Sequence, residues 1–188
     1  MGRWEPDARG RMISAALELY AENGFDQTTA ADIAERAGVT ERTFFRHFAD
    51  KREVLFDGSA ILQQEVVDTV AAAPESATPL DVVGAAMERA GSLLQSRREF
   101  ARRRAAALAA NPSLQERELL KMSTLGAAIA AALRERGTPP LAASVAADAG
   151  ITIFRIGFET WIDDTSADDL AQCIRDALEQ LRQLTAPS

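Results

Sequence analysis

The side chains with the most chemistry to offer cluster between positions 40 and 51: Thr40, Arg42, Thr43, Phe45, Arg46, His47 and Lys51. A guanidinium can fork onto guanine O6 and N7 or onto a phosphate, and an aromatic ring can press on a thymine methyl or a sugar. Together they make a set for reading duplex nucleic acid. A catalytic reading has little to stand on. There is no Gly-rich phosphate loop and no serine elbow, and Cys173 lies far along the chain from His47. The carboxylate pairs Asp163-Asp164 and Asp168-Asp169 sit where caps and linkers belong. One cysteine and one histidine exclude an intramolecular disulfide and a zinc site of ordinary type, and no metal or cofactor is implied.

Two short helices must position these side chains. Thr29 and Asp32 have the spacing of a capping box, so the first helix starts near Ala30 and carries Ile33, Ala34 and Ala37 on one face. Gly38 ends it in a left-handed cap, Val39 plugs the angle, and Thr40 caps the second helix with Glu41 at the positive end of its dipole. Phe44 and Phe48, four apart, share the face that buries, which leaves Arg42, Thr43, Phe45, Arg46 and His47 over the remainder. A glycine turn between two short helices, the second with an arginine-bearing outer face, reads as a helix-turn-helix sized for the major groove.

The stretch AERAGVTERTFFRHFADKREVLF, within a match from about Arg11 to Phe56, resembles the DNA-binding domain of the TetR family of bacterial transcriptional regulators. The resemblance implies that Arg46, His47 and Lys51 hold the DNA backbone, as does Thr28 or Thr29 at the start of the first motif helix. It gives Thr43 a base methyl or a phosphate. Arg42 replaces the glycine of many relatives and so adds a reader, for a base or for phosphate. Phe45 stands where tyrosine is commonest and lacks that hydroxyl.

The 188 residues carry a net charge of −7, which argues at first sight against a polyanionic partner. Its distribution weakens that argument. Residues 28–52 hold five basic residues against four acidic, while 57–188 hold 13 against 18. Few aromatics and an alanine- and leucine-rich apolar fraction describe an all-α chain. Arg3, Arg9 and Arg11 form a solvated tail or a basic arm, the tail being favoured. No secretion signal is visible. Leu141 to Ile162 is interrupted by Asp148, Arg155 and Glu159, which reads as a buried helix of a soluble, cytoplasmic protein and not as a membrane span.

Further helices follow from the periodicity: about Asp7 to Asn23; from an Asp50–Glu53 box to about Val70, including Ile61; Leu80 to Gln95; Arg97 to Ala110; a long one opened by a Ser113–Glu116 box and closed at Gly137; Leu141 to Asp163; and a last one capped by Ser166 and Asp169. The start of the helix after Asp50, with Lys51, reads as a phosphate site. About nine helices result, which is what the family resemblance implies. The expected architecture is a three-helix helix-turn-helix DNA-binding domain over residues 1–52 and a C-terminal helical domain over 53–188 that binds an effector and dimerises through its last two helices.

ANPSLQERELLKMSTLGAAIAAALRERG is similar to the C-terminal domain of TetR regulators of the mycofactocin type, and that resemblance implies an acyl or acyl-CoA effector. Met87, Leu94, Phe100, Met122, Phe154, Phe158 and Trp161 are candidate lining of an effector pocket, or ordinary core, and Arg104 is the candidate anchor for a carboxylate or phosphate. The expected partners are a double-stranded palindromic operator, a small-molecule effector and a second copy of the chain, with no membrane. The competing reading is a dimeric helix-turn-helix protein whose C-terminal domain is filled and takes no effector.

Overall fold

The structure is a computed structural model that describes residues 7–163 and 169–186. Among these residues it is all-helical: α1 (Ala8–Asn23), α2 (Ala30–Arg36), α3 (Glu41–His47), α4 (Ser59–Ala72), α5 (Pro79–Leu94), α6 (Arg98–Ala109), α7 (Pro112–Glu135), α8 (Pro140–Asp163) and α9 (Leu170–Thr185), with 3-10 turns at Glu53–Phe56 and Gln95–Arg97. Two compact units result. The first comprises Met1–Gly58 and Phe100–Glu118, the second Ser59–Glu99 and Leu119–Ser188. The N-terminal unit therefore runs six residues past the expected boundary and takes in the corner between α6 and α7.

In the N-terminal unit, Met12, Ala16, Leu19 and Tyr20 of α1 pack with Ile33, Phe44, Phe48, Val54, Leu55 and Phe56 in one core, which Leu108 of α6 and Leu114 of α7 complete. The single helix expected from Asp50 to Val70 is instead two pieces. Asp50 accepts from the N–H groups of Arg52 and Glu53 at 2.8 and 3.1 Å in the turn before the first piece, whose own N-cap, Arg52, makes no side-chain cap. That piece ends as a short 3-10 turn because Gly58 adopts a left-handed φ of 80° that breaks the helical path. The Asp57-Gly58 dipeptide is an ordinary turn signal. Ile61, expected inside, is exposed beyond the break.

Asn111, not Ser113, caps α7: its Oδ1 accepts from the N–H groups of Ser113 and Leu114 at 3.0 and 3.3 Å, with Pro112 as the first helical residue. Asparagine before proline is the better start signature, since the N–H that proline lacks would have no partner at the first helical position. Asp169 caps α9 by accepting from Ala171 N, and Ser166 lies outside the described residues.

The second unit is held by close helix approach. A Cβ placed on Gly84 of α5 would sit 2.5 Å from Leu178 of α9, and one on Gly150 of α8 would sit 2.1 Å from Val83 of α5. On Gly157 it would meet the Ile174 backbone at 2.9 Å. The contact at Gly157 is with backbone and needs a residue without a side chain, while at Gly84 and Gly150 a neighbouring side-chain end would have to shift, so α5, α8 and α9 approach closely. α8 is long and apolar enough to cross a membrane, but Ala143, Ala147, Gly150, Ile153 and Trp161 bury one of its faces within the unit.

Candidate nucleic-acid interface

The capping box at the head of α2 forms in both directions. Asp32 N donates to Thr29 Oγ1 at 3.1 Å while Thr29 N donates to Asp32 Oδ2 at 2.8 Å. Hydrogen bonds from the Thr29 hydroxyl and backbone hold the Asp32 carboxyl below its ordinary value. At the other end Val39 N donates to Ala34 O at 2.9 Å and Gly38 N to Glu35 O at 3.0 Å, across a Gly38 φ of 68°. This Schellman pair turns the chain sharply and tucks Val39 against the core. Thr40 Oγ1 then accepts from Thr43 N at 3.2 Å and α3 begins.

Along α3 the residue period divides the side chains. Phe44 is 0% exposed and Phe48 is buried beside it, ring centroids 5.5 Å apart. Phe45, one position on from Phe44, is 51% exposed, with Arg42 and Arg46 on the outer surface. Thr43 and His47 are half-buried at the margins, the Thr43 hydroxyl 3.0 Å from that of Thr40. Two cations flank one exposed aromatic on a surface that can enter a groove.

Two expected contacts are placed elsewhere. Thr28 is 0% exposed, and its hydroxyl donates to Gly24 O at 2.9 Å and Leu19 O at 3.3 Å, so it joins α1 to the lead-in loop of α2. Lys51 turns inward: Nζ donates to Phe25 O and Thr28 O, each at 2.7 Å, lies 3.4 Å from Asp26 O, and sits 4.3 Å from the Phe25 ring centre. Tyr20 Oη donates to Lys51 O at 2.6 Å, and burial raises the Tyr20 pKa well above its ordinary range. With three carbonyls around it, the Lys51 ammonium is a fastener of the lead-in loop, not a free phosphate ligand. Arg36 is likewise engaged, forking onto Glu22 at 2.8 and 3.1 Å. Arg9 pairs with Asp57, and Arg3 lies outside the described residues.

Residues 12–57 match the family described as bacterial regulatory proteins, tetR family, and residues 77–186 match the one described as the MftR C-terminal domain. The chain belongs to the TetR family. The curated relatives that it matches are named as transcriptional regulators. Among TetR relatives, the transcriptional regulator TcmR of Streptomyces glaucescens is 36% identical over 78 residues, 42% of this chain and 34% of its own length. TtgR of Pseudomonas putida is 38% identical over 80 residues, 42% of this chain and 37% of its own length. The matched region thus spans about a third of either relative. Thermus thermophilus FadR, a TetR repressor solved with lauroyl-CoA, is 27% identical with a TM-score of 0.57 over 96% of both chains. Bacillus subtilis FadR, solved with stearoyl-CoA, shares the fold at 21% identity and a TM-score of 0.65, over 92% of this chain and 96% of its own.

The residues expected to line an effector pocket divide between the two units. Met87 and Leu94 on α5, Met122 on α7 and Phe154, Phe158 and Trp161 on α8 belong to the second. Phe158 is 6.2 Å from Phe154 and 5.9 Å from Trp161, and the Arg98 guanidinium lies 5.5 Å over the Trp161 ring. Among the described residues Trp161 Nε1 is buried without an acceptor. Phe100 and Arg104 belong to the DNA-binding unit instead. Phe100 packs on its core, and Arg104 donates to Leu55 O at 2.7 Å and forks onto Glu118 at 2.6 and 3.2 Å. A guanidinium so engaged is not a vacant anchor for a ligand anion. A recess of about 150 Å³ in the second unit, bounded by Glu75, Val82, Leu133 and Arg136, is lined by none of the expected residues.

Proposed function

We propose that this TetR regulator is a homodimeric repressor that leaves a palindromic operator when its C-terminal unit takes an apolar or amphipathic small molecule, of acyl or acyl-CoA type. The observation that carries the DNA half is the division of α3: Phe44 and Phe48 locked in the core, Arg42, Phe45 and Arg46 outside it. Two such helices, one per protomer, enter major grooves one helical turn apart, about 34 Å. Thr29 and Thr40 cap the two helices, where their free N–H groups face phosphate, and Thr43 and His47 flank the readers. Leu141, Val145 and Ile156 on α8 and Leu184 on α9 are exposed apolar residues, which supports pairing of those helices with a second copy. The working compartment is the cytoplasm.

The effector half is supported by the buried Trp161 Nε1, a donor that a ligand oxygen would satisfy, and by the lauroyl-CoA held by Thermus thermophilus FadR. The second reading, a regulator with a filled C-terminal unit and no effector, is favoured by the glycine-mediated contacts of α5 with α8 and α9.

Duplexes selected by the purified protein from a random pool test the DNA half. Arg42→Ala should weaken the selected duplex about 10-fold or more and relax the sequence at one position per half-site. An unchanged site and affinity would remove Arg42 as a reader. Lauroyl-CoA titrated into the complex separates the two readings: release supports the effector, and undisturbed binding at saturation supports the filled unit. A monomeric mass by light scattering at micromolar concentration would remove the dimer.

A further inference from the structure

The corner between α6 and α7 touches the chain on both sides of the helix-turn-helix. On the lead-in side, Asn111 is buried and Nδ2 donates to Asp26 Oδ1 at 3.3 Å, while its Oδ1 caps α7. Asp26 lies in the loop whose carbonyls surround Lys51. On the exit side, Arg104 and Arg117 flank the Phe56 ring, with guanidinium centres 5.1 and 6.0 Å from its centre. Arg104 Nε holds Leu55 O, and Arg117 Nε and Nη2 each lie 2.7 Å from Glu53 Oε1. Between the two sides, Leu108 and Leu114 share the core of Phe44 and Phe48.

We propose that Asn111, Arg104 and Arg117 are positioning residues for DNA recognition, which make the α6–α7 corner a fourth structural member of the helix-turn-helix unit. The proposal rests on the reading of α3 as the DNA reader. None of the three touches the bases. They set the separation of the loop that leads into α2 from the turn that leaves α3, and that separation fixes how α3 stands out from the core. Polar ties of this kind are directional, so a small displacement of the corner changes which partners are satisfied.

The test uses the full chain and a duplex selected from a random pool, with a scrambled duplex as control. Asn111→Asp keeps the capping oxygen of α7 but sets a carboxylate against Asp26. It should weaken the selected duplex about tenfold and the scrambled one much less, at unchanged helical content. Adding Asp26→Asn reverses donor and acceptor and should restore affinity to within about threefold of the parent, a coupling that independent sites do not show. Arg104→Lys keeps the charge but cannot both hold Leu55 O and fork onto Glu118, and should produce a smaller loss of selectivity should Asn111→Asp fail to fold. Selectivity unchanged within about twofold in both folded single variants, or a loss that Asp26→Asn fails to restore, overturns the proposal. Failure of the underlying reading looks different: Arg42→Ala would then leave selectivity intact, whatever Asn111→Asp does.

Discussion

The DNA-binding unit and the second unit are both helical, but they are held by different physics. The first joins an aromatic core, Tyr20, Phe25, Phe44, Phe48 and Phe56, to directed polar ties from Lys51, Thr28, Arg104, Arg117 and Asn111. The second brings α5, α8 and α9 together at glycines and alanines, where backbone approaches side chain or backbone. A unit that must present a few side chains at fixed positions gains from directional contacts, because each has one geometry in which it is made. A layer of small residues fixes distance but tolerates sliding along its ridges. The first unit is built for register, the second for closeness.

The largest break of that contrast comes from the aromatic core. Phe44→Ala removes a fully buried ring and should cost about 3–5 kcal/mol, read by chemical denaturation, with loss of DNA binding as α3 loses its seat. If stability fell by less than about 1 kcal/mol, the rings would not organise that unit. A smaller effect is expected from the opposite change in the second unit. Gly157→Ala adds one methyl against the Ile174 backbone and should cost about 1–3 kcal/mol by forcing α8 and α9 apart. The same measurement would show no change if the helices can slide to admit it.

The smallest effect sharpens the contrast at the surface. Thr29→Ala removes the hydroxyl and its bonds to Asp32 N and Asp32 Oδ2, keeps the backbone N–H bond to Asp32 Oδ2, and should cost about 1 kcal/mol. It should also return the Asp32 pKa toward its ordinary 3.8, seen by carbon-detected NMR titration. The sign follows from the depressed folded value. The carboxylate contributes at every pH above about 4, and its contribution is lost as pH falls through the lower folded pKa. An Asp32 titration that Thr29→Ala leaves in place would refute the box as the cause.

Much of the reading motif was legible because its determinants are local. The Thr29–Asp32 spacing, Gly38 and the Phe44/Phe48 period each act within one turn of helix, so sequence distance stands for spatial distance. The break at Gly58 and the cap at Asn111 carried local signals, Asp-Gly and Asn-Pro, that outweigh the competing capping boxes once the backbone is built. Lys51 was different. A lysine beside the recognition helix carries no local mark of its direction, and the carbonyls that hold it come from a loop 23 to 26 residues earlier. Arg104 and Phe100 were misplaced for the same reason, since their neighbours Leu55, Phe56 and Glu118 are set by how the corner packs.

From the sequence alone came the helices, their order, the glycine turn and the buried and outward faces of α3, because periodicity and capping depend on residues within four positions of each other. Tertiary structure alone decided which cations are spent inside the protein and which stay on the outer face of α3. A charged side chain settles where the carbonyls and carboxylates are, and those are delivered by segments far apart in the chain.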